Sequence, residues 1–225
     1  MDGWDVQSGS GVRFYWGPTG ASRLANEAAC LVAVDVLSFT TAVSVAVDRG
    51  IRVLPFPWPG GPASEAERSG AAQVTAAYAR QSGARLASHR HTVTPETPWS
   101  LSPAHLRAAP FVARPVLPSP NGAAIAAAAP PGVRVVAACL RNITAVGTWL
   151  TCHGYGTPEH PVVVIAAGEL WPDGSLRPAL EDLLGAGAHS GSRSHSAGGY
   201  ARPCRADRAP SRAGCAGSGR PRPGR

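Results

Sequence analysis

The sequence predicts an α/β fold, a three-layer α/β/α domain with a mainly parallel sheet. Short apolar runs of strand length alternate along the chain with longer segments in which apolar residues recur at helical spacing. The run CLVAVDV at 30–36 is apolar at nearly every position, which is typical of a parallel strand covered by helices on both faces. Asp35 alone interrupts this run with a charge.

The strands are predicted from apolar runs bounded by turn residues. In chain order they lie at 12–15, 30–36, 51–56, 111–117, 133–139 and 161–167. Each is followed by a segment with Ala-rich composition or apolar residues at i, i+3 and i+4, which favours a helix. The first predicted helix follows a turn at Gly17-Pro18 and extends to Ala29, and the second begins around 37–40 and ends before Gly50. The others cover 63–82, the stretch after Pro103, the stretch after Gly122, 142–152 and the stretch from Leu180. Ser102 before Pro103 is a capping residue followed by proline at the first helical position.

The charge of the chain is concentrated at one end. The 225 residues include 21 Arg, no Lys and 14 acids, for a net charge of +7. Residues 189–225 hold eight of these Arg and a single acid, Asp207, so residues 1–188 hold 13 of each and are neutral. A neutral body does not indicate nucleic-acid binding, because such binding needs a basic surface.

Residues 189–225 are predicted to be a disordered Arg/Gly/Ser/Pro-rich tail, and residues 1–188 the α/β domain. The tail contains no Val, Ile, Leu, Met, Phe or Trp, so it cannot bury enough apolar surface to offset chain ordering. The abrupt change of composition is typical of a reading-frame shift in a GC-rich gene, which predicts a domain truncated at its C-terminus. A basic arm that binds nucleic acid is the less favoured alternative.

The sequence predicts a cytoplasmic protein without a membrane partner. It has no apolar run of about 18 residues or more, and its acidic, polar N-terminus is unlike a signal peptide. The five Cys form no CxxC pair, which argues against a four-Cys zinc site. The oligomeric state stays open, a homo-oligomer included.

Polar residues cluster where predicted strands end, and ligands of open α/β sheets bind beyond those ends. After the second strand, Asp35 could bind a hard metal ion, or cap a turn. Hydroxyls that could cap the next helix or hold an anion follow it, namely Ser38, Thr40 and Thr41. A later exit carries Ser119, Asn121 and Gly122, which taken alone would be an ordinary turn and helix cap.

Two further exits carry charged side chains. The segment after the last strand holds four carboxylates and one guanidinium, Glu169, Asp173, Glu181, Asp182 and Arg177, a set suited to a divalent metal and an anion. A solvated turn with acids at a helix start is the alternative interpretation. At the exit before it, Arg141 and Asn142 stand at a strand-to-helix junction, where Arg141 is a candidate anion clamp.

Four motifs together resemble the 2-phosphosulfolactate phosphatase family. They are VDVLSFTTAV (34–43), LPSPNG (117–122), CLRN (139–142) and AAGELWPDGSLRPALEDLLGAGA (166–188). The resemblance covers roughly residues 12–188 in the expected order. It implies an α/β/α fold and a Mg²⁺-dependent phosphomonoester hydrolase of coenzyme M biosynthesis.

The resemblance also implies roles for the exit residues. Asp35, Glu169 and Asp173 would form the metal site, with Glu181 and Asp182 outside it. The residues around the phosphate and the anionic substrate would be Ser119, Asn121, Gly122, Arg141, Asn142 and Arg177. Where many members have Arg followed by a small residue, this chain has Ser38-Phe39, so the reaction class is expected to persist better than the substrate.

The expected reaction is therefore hydrolysis of a small anionic phosphomonoester, 2-phosphosulfolactate or a related phosphorylated acid. Asp35 or Glu169 would act as general base or as nucleophile, and the residues do not separate these roles. A noncatalytic module that binds small anions is the alternative function.

Overall fold

The computed structural model describes residues 7–58 and 64–194, the side chains of 189–194 excepted. Within these ranges the strands are β1 Val12–Trp16, β2 Cys30–Val34, β3 Leu54–Pro57, β4 Arg85–Leu86, β5 Pro115–Ser119, β6 Arg134–Ala138, β7 Val162–Ala166, β8 Glu169–Leu170 and β9 Leu176–Arg177. The short strands β4, β8 and β9 were not predicted, because runs of two residues carry no periodic signal.

The helices follow the strands as expected, except that Gly17 and Pro18, predicted as a turn, already belong to the first helix, since proline is tolerated in the first helical turn. They are α1 Gly17–Leu24 with a 3₁₀ turn at Ala25–Glu27, α2 Phe39–Asp48, α3 Glu65–Gln81, α4 Pro103–Ala108, α5 Gly122–Ala128, α6 Ile143–Cys152 and α7 Leu180–Ser194. The Ser102 hydroxyl caps α4 by accepting a hydrogen bond from His105 N at 3.4 Å, and Pro103 opens the helix as predicted. None of the helices described is both long and apolar enough to cross a membrane.

The larger strands form two parallel sheets. In the first the strand order is β1-β7-β2-β6, and in the second it is β3-β5-β4. The strands β8 and β9 form a separate antiparallel hairpin. The α/β class and the parallel pairing are confirmed. The division into two sheets was not predicted, because strand order depends on pairings between residues far apart in the chain.

Alternation along the central strands places helices on both faces of the first sheet. Cys30, Val32 and Val34 belong to an apolar cluster that includes residues of α6 and α7. Leu31 and Ala33 belong to a second cluster, with residues of α1 and α5. All five strand residues are buried, which explains why the strand reads as an unbroken apolar run. The three-layer arrangement is confirmed around this sheet.

Two predicted boundaries differ from the structure. The strand predicted from residue 111 begins at Pro115, and Phe111 is 62% exposed. The strand β5 is shorter than predicted because its neighbours β3 and β4 are short and pair only with residues 115–119. The tail was predicted to begin at residue 189, but α7 continues to Ser194. Packing of the first turns of a helix stabilises the turns that follow them, so a helix need not end where the composition changes. Residues 195–225 of the predicted tail lie outside the described residues.

Candidate functional site

The carboxyl ends of strands from both sheets meet at one group of polar residues. Asp35 follows β2, Asn121 and Gly122 follow β5, and Glu169 begins β8 shortly after β7. Gly122 N donates to Asp35 Oδ2 at 2.9 Å, and Asn121 Nδ2 donates to Glu169 Oε2 at 3.2 Å. The structure therefore brings together residues from three of the predicted strand exits.

The Asp35 carboxylate is buried and held from two directions. Its side chain accepts Phe39 N at 3.1 Å on Oδ1, in addition to Gly122 N on Oδ2. Because Phe39 N is one of the free amides at the start of α2, the helix stabilises a negative charge here. The residue is 6% exposed, so its orientation is determined by the fold rather than by solvent.

The predicted hydroxyls support the Asp35 loop. The Thr40 hydroxyl donates to Asp35 O at 2.6 Å and accepts from Asp35 N at 3.0 Å. Thr41 Oγ1 donates to Val36 O at 2.7 Å, and Ser38 Oγ donates to Leu101 O at 2.9 Å. All three side chains thus hydrogen-bond to backbone, and they position the carboxylate through the loop that carries it.

Gly122 allows the two strand exits to approach closely. A Cβ atom on this residue would lie 2.8 Å from Asp35 Oδ2 and would collide with the Phe39 ring. No larger residue fits without moving the carboxylate or the ring. Gly122, which the motif resemblance assigns to the surroundings of the phosphate, thus lies against the Asp35 carboxylate.

Asp182 has a more central position than the sequence analysis expected. It is 4% exposed, and its two oxygens accept Val36 N at 2.7 Å and Gly168 N at 2.9 Å. Those amides follow β2 and β7, so this side chain joins the ends of two neighbouring strands. The sequence offered one signal for this, an acid in the first turn of the last helix, but not its partners.

Burial raises the pKa of Asp35 to about 7. The amides of Phe39 and Gly122 oppose this shift, and the negative charges of Asp182 and Glu169 add to it. Burial also raises the pKa of Asp182, with the charges of Glu181 and Glu169 contributing. The site therefore concentrates negative charge in a poorly solvated place, which favours binding of a proton or a cation.

The raised pKa of Asp35 predicts that stability falls as pH rises. In the unfolded chain the carboxyl ionises near its ordinary value of 3.8, whereas in the folded protein it holds its proton up to about pH 7. Between these values the folded state binds more protons, so the free energy of unfolding should fall by on the order of a few kcal/mol. Urea unfolding in metal-free buffer at a series of pH values measures this.

Asp35→Asn should remove most of that pH dependence, even if one amide contact is lost. Asp173→Asn is the matched control. Asp173 is exposed and hydrogen bonds from Ser175 lower its pKa, so its contribution to the pH dependence of stability has the opposite sign. Equal pH dependence of stability in wild type and Asp35→Asn would show that Asp35 titrates normally.

The three predicted metal ligands do not assemble. Asp173 is exposed at the turn of the β8–β9 hairpin, where its Oδ1 accepts Ser175 N at 2.9 Å and Ser175 Oγ at 2.6 Å. Among the described side chains, those of residues 7–58 and 64–188, no group of three Asp, Glu, His or Cys could together hold a metal ion. The motif resemblance implies a metal-binding role for Asp173, whereas in the structure its carboxylate is engaged by Ser175 within the hairpin turn.

The remaining donors still fit a magnesium ion of the usual protein type. Mg²⁺ is commonly bound by one or two carboxylates, with waters and substrate phosphate completing the shell. Each Asp35 oxygen accepts one described hydrogen bond and keeps acceptor capacity. Glu169 is half-buried beside it, and only its Oε2 accepts a hydrogen bond from the described residues.

The predicted anion-binding residues divide into two groups. Arg141 is engaged with α2, through Asp48 Oδ2 at 2.6 Å and Ser44 Oγ at 2.9 Å. Asn142 closes its own turn, accepting Cys139 N at 2.8 Å and donating to Ala137 O at 3.0 Å. Both residues therefore have structural partners, Arg141 on α2 and Asn142 in the turn after β6.

Arg177 and Ser119 belong to the elements that carry or precede Glu169 and Asn121. In the β8–β9 hairpin, Arg177 is the direct cross-strand partner of Glu169, and its guanidinium lies 5.6 Å from the centre of the Trp171 ring. Ser119 is 2% exposed at the end of β5, and its carbonyl accepts Trp58 N at 3.1 Å.

No protein-family model and no curated protein matches this chain. The motif resemblance to 2-phosphosulfolactate phosphatases stays a prediction.

Proposed function

We propose that this protein is a Mg²⁺-dependent phosphatase that hydrolyses a small anionic phosphomonoester, 2-phosphosulfolactate or a related phosphorylated acid. The observation that carries the proposal is the buried Asp35 carboxylate at the meeting point of the strand ends. It is held by two backbone amides and lies beside a second acid, Glu169. The motif resemblance supports the same reaction.

Asp35 is the residue that would hold the magnesium ion, together with oxygens of the substrate phosphate. When bound, the ion supplies positive charge that offsets the negative charge of the phosphoryl group. The Phe39 and Gly122 amides keep the carboxylate in one orientation, so little reorganisation is needed when substrate arrives.

Glu169 has the geometry of a general base. Asn121 donates to its Oε2 and orients the side chain, while Oε1 accepts no hydrogen bond from the described residues. We assign Oε1 the proton of the attacking water. The water oxygen forms its bond to phosphorus as the bond from phosphorus to the ester oxygen breaks. The proton then returns through solvent to the departing alcohol, which restores the carboxylate.

Arg177 would bind the phosphate. Arg177 is the cross-strand partner of Glu169, and no carboxylate of the described residues lies within 4 Å of its guanidinium, which supports this role. A guanidinium can bind two phosphate oxygens at once. The Trp171 ring next to it restricts its orientation.

The direct test is turnover of phosphomonoesters with Mg²⁺ and after its removal by EDTA. Wild type should release phosphate only with Mg²⁺, and Glu169→Gln should reduce kcat about a hundredfold, since the amide cannot take a proton. Glu159→Gln is the matched control. Glu159 is exposed and precedes β7, so it lies at the end of β7 opposite to the one that leads to Glu169.

Two outcomes would contradict the proposal. Equal rates with and without Mg²⁺ would exclude the metal, and binding of phosphate without turnover would favour the anion-binding module. A phosphoenzyme recovered after acid quench would assign Asp35 as nucleophile in place of an attacking water.

A further inference from the structure

A loop that the sequence analysis did not connect with the site reaches the same end of the sheets. The strand β4 runs parallel beside β5, so the residues that follow both strands lie at one edge. The His89 ring meets Trp58 edge-on, with ring centres 5.7 Å apart, and Trp58 N donates to Ser119 O. The loop after β4 is thereby placed next to the exit of β5.

Arg90 of this loop extends to the exit of β2. Its Nη2 donates to Ser38 Oγ at 3.2 Å, and Ser38 in turn donates to Leu101 O. Ser38 is 9% exposed and stands three residues after Asp35. Arg90 therefore supplies a guanidinium at the exit of β2, where neither Ser38 nor Phe39 carries one.

The charge of Arg90 is available to a ligand. The residue is exposed, and no carboxylate of the described residues lies within 4 Å of it. Arg141 differs in this respect, because Asp48 balances its charge at 2.6 Å. A guanidinium whose charge no carboxylate balances attracts the anionic part of a ligand and adds specificity for carboxylate or sulfonate.

We infer that Arg90 binds the second anionic group of the substrate, a carboxylate or sulfonate on the carbon skeleton that carries the phosphate. This inference rests on the proposed phosphatase function. Arg177 lies on the β8–β9 hairpin beside Glu169, whereas Arg90 approaches from the loop after β4. The two guanidiniums thus belong to different elements, so each can bind a different anionic group of one ligand. Arg90 is a specificity residue that selects phosphorylated acids over neutral phosphate esters.

The test compares two esters that differ only in the second charge. 2-Phospholactate carries a carboxylate where isopropyl phosphate carries a methyl group. Wild type should prefer 2-phospholactate in kcat/KM, and Arg90→Ala should reduce that preference about ten- to a hundredfold, mainly through KM, because a charge-assisted hydrogen bond is lost. Arg90→Lys keeps the charge without the planar fork and should be intermediate.

Arg85→Ala is the matched control. Arg85 is exposed and begins β4, so it lies at the opposite end of the same strand from the Arg90 loop. This variant should keep the wild-type preference. Thermal melting of each variant checks that it is folded, and Arg90→Ala should melt near wild type because the side chain is exposed.

A binding measurement separates this inference from the proposed function. Sulfolactate, which carries a carboxylate and a sulfonate but no phosphate, is titrated calorimetrically into wild type, Arg90→Ala and Arg85→Ala. We expect binding about tenfold weaker in Arg90→Ala alone. If wild type hydrolyses neither ester, the phosphatase proposal fails and sulfolactate affinity decides the role of Arg90. Unchanged affinity, unchanged ester preference, or no binding to wild type would each overturn the inference.

Discussion

Asp35→Ala should abolish Mg²⁺-dependent phosphatase activity, lowering kcat about a thousandfold or more. The substitution removes the carboxylate that would hold the ion, and the Phe39 and Gly122 amides that orient it cannot replace its charge. Steady-state phosphate release at saturating Mg²⁺ measures the loss. Asp35 is the only acid of β2 and of the loop that joins it to α2, so no neighbour on that segment can substitute.

Asp48→Ala is the control for this variant. Asp48 is the exposed last residue of α2, at the far end of the helix from Asp35, and its described partner is Arg141. Loss of such a surface ion pair costs about 1 kcal/mol or less, so activity should stay near wild type. Turnover by Asp35→Ala within tenfold of wild type would place the reaction elsewhere in the molecule.

Asp182→Ala should produce the largest loss of stability, roughly 2–5 kcal/mol. Two buried amides, Val36 N and Gly168 N, would lose their acceptor, and each unsatisfied group costs about 1–3 kcal/mol. Urea unfolding near pH 5, where Asp35 holds its proton, measures this cost. Removing the negative charge of Asp182 should also lower the pKa of Asp35, since that charge contributes to raising it.

Two variants make the stability test specific. Asp182→Asn keeps one acceptor oxygen and should lose less stability than Asp182→Ala. Glu181→Ala changes the adjacent carboxylate, which makes no hydrogen bond to the described residues, and should stay within about 0.5 kcal/mol of wild type. If Asp182→Ala and Glu181→Ala unfold alike, the Asp182 contacts contribute little to the fold.

The alternation of strands and helices was predictable because each element leaves a local pattern. The run at 30–36 has both faces buried and is therefore apolar throughout, apart from Asp35. The same reasoning identified Asp35, Gly122 and Glu169 as residues of strand exits. It could not identify Arg90, whose loop has no regular spacing and whose contact with Ser38 spans 52 residues.

Sequence proximity was a poor guide to which acids would lie together. Asp173 is four residues from Glu169, yet it lies in an exposed turn bound to Ser175. Asp182 is thirteen residues from Glu169, yet both are close enough to Asp35 to raise its pKa. The difference arises because the β8–β9 hairpin turns Asp173 outward before α7 returns the chain to the sheet.

By itself the sequence determined the α/β class, the parallel strands and the acid at the end of β2. These follow from apolar periodicity and from the cost of placing a charge in a buried run. The tertiary structure alone decided that the strands divide into two sheets whose ends meet, where Gly122 N reaches the Asp35 carboxylate across 87 residues. Pairing and packing between distant segments carry no local pattern, so only the folded chain shows which polar groups share a site.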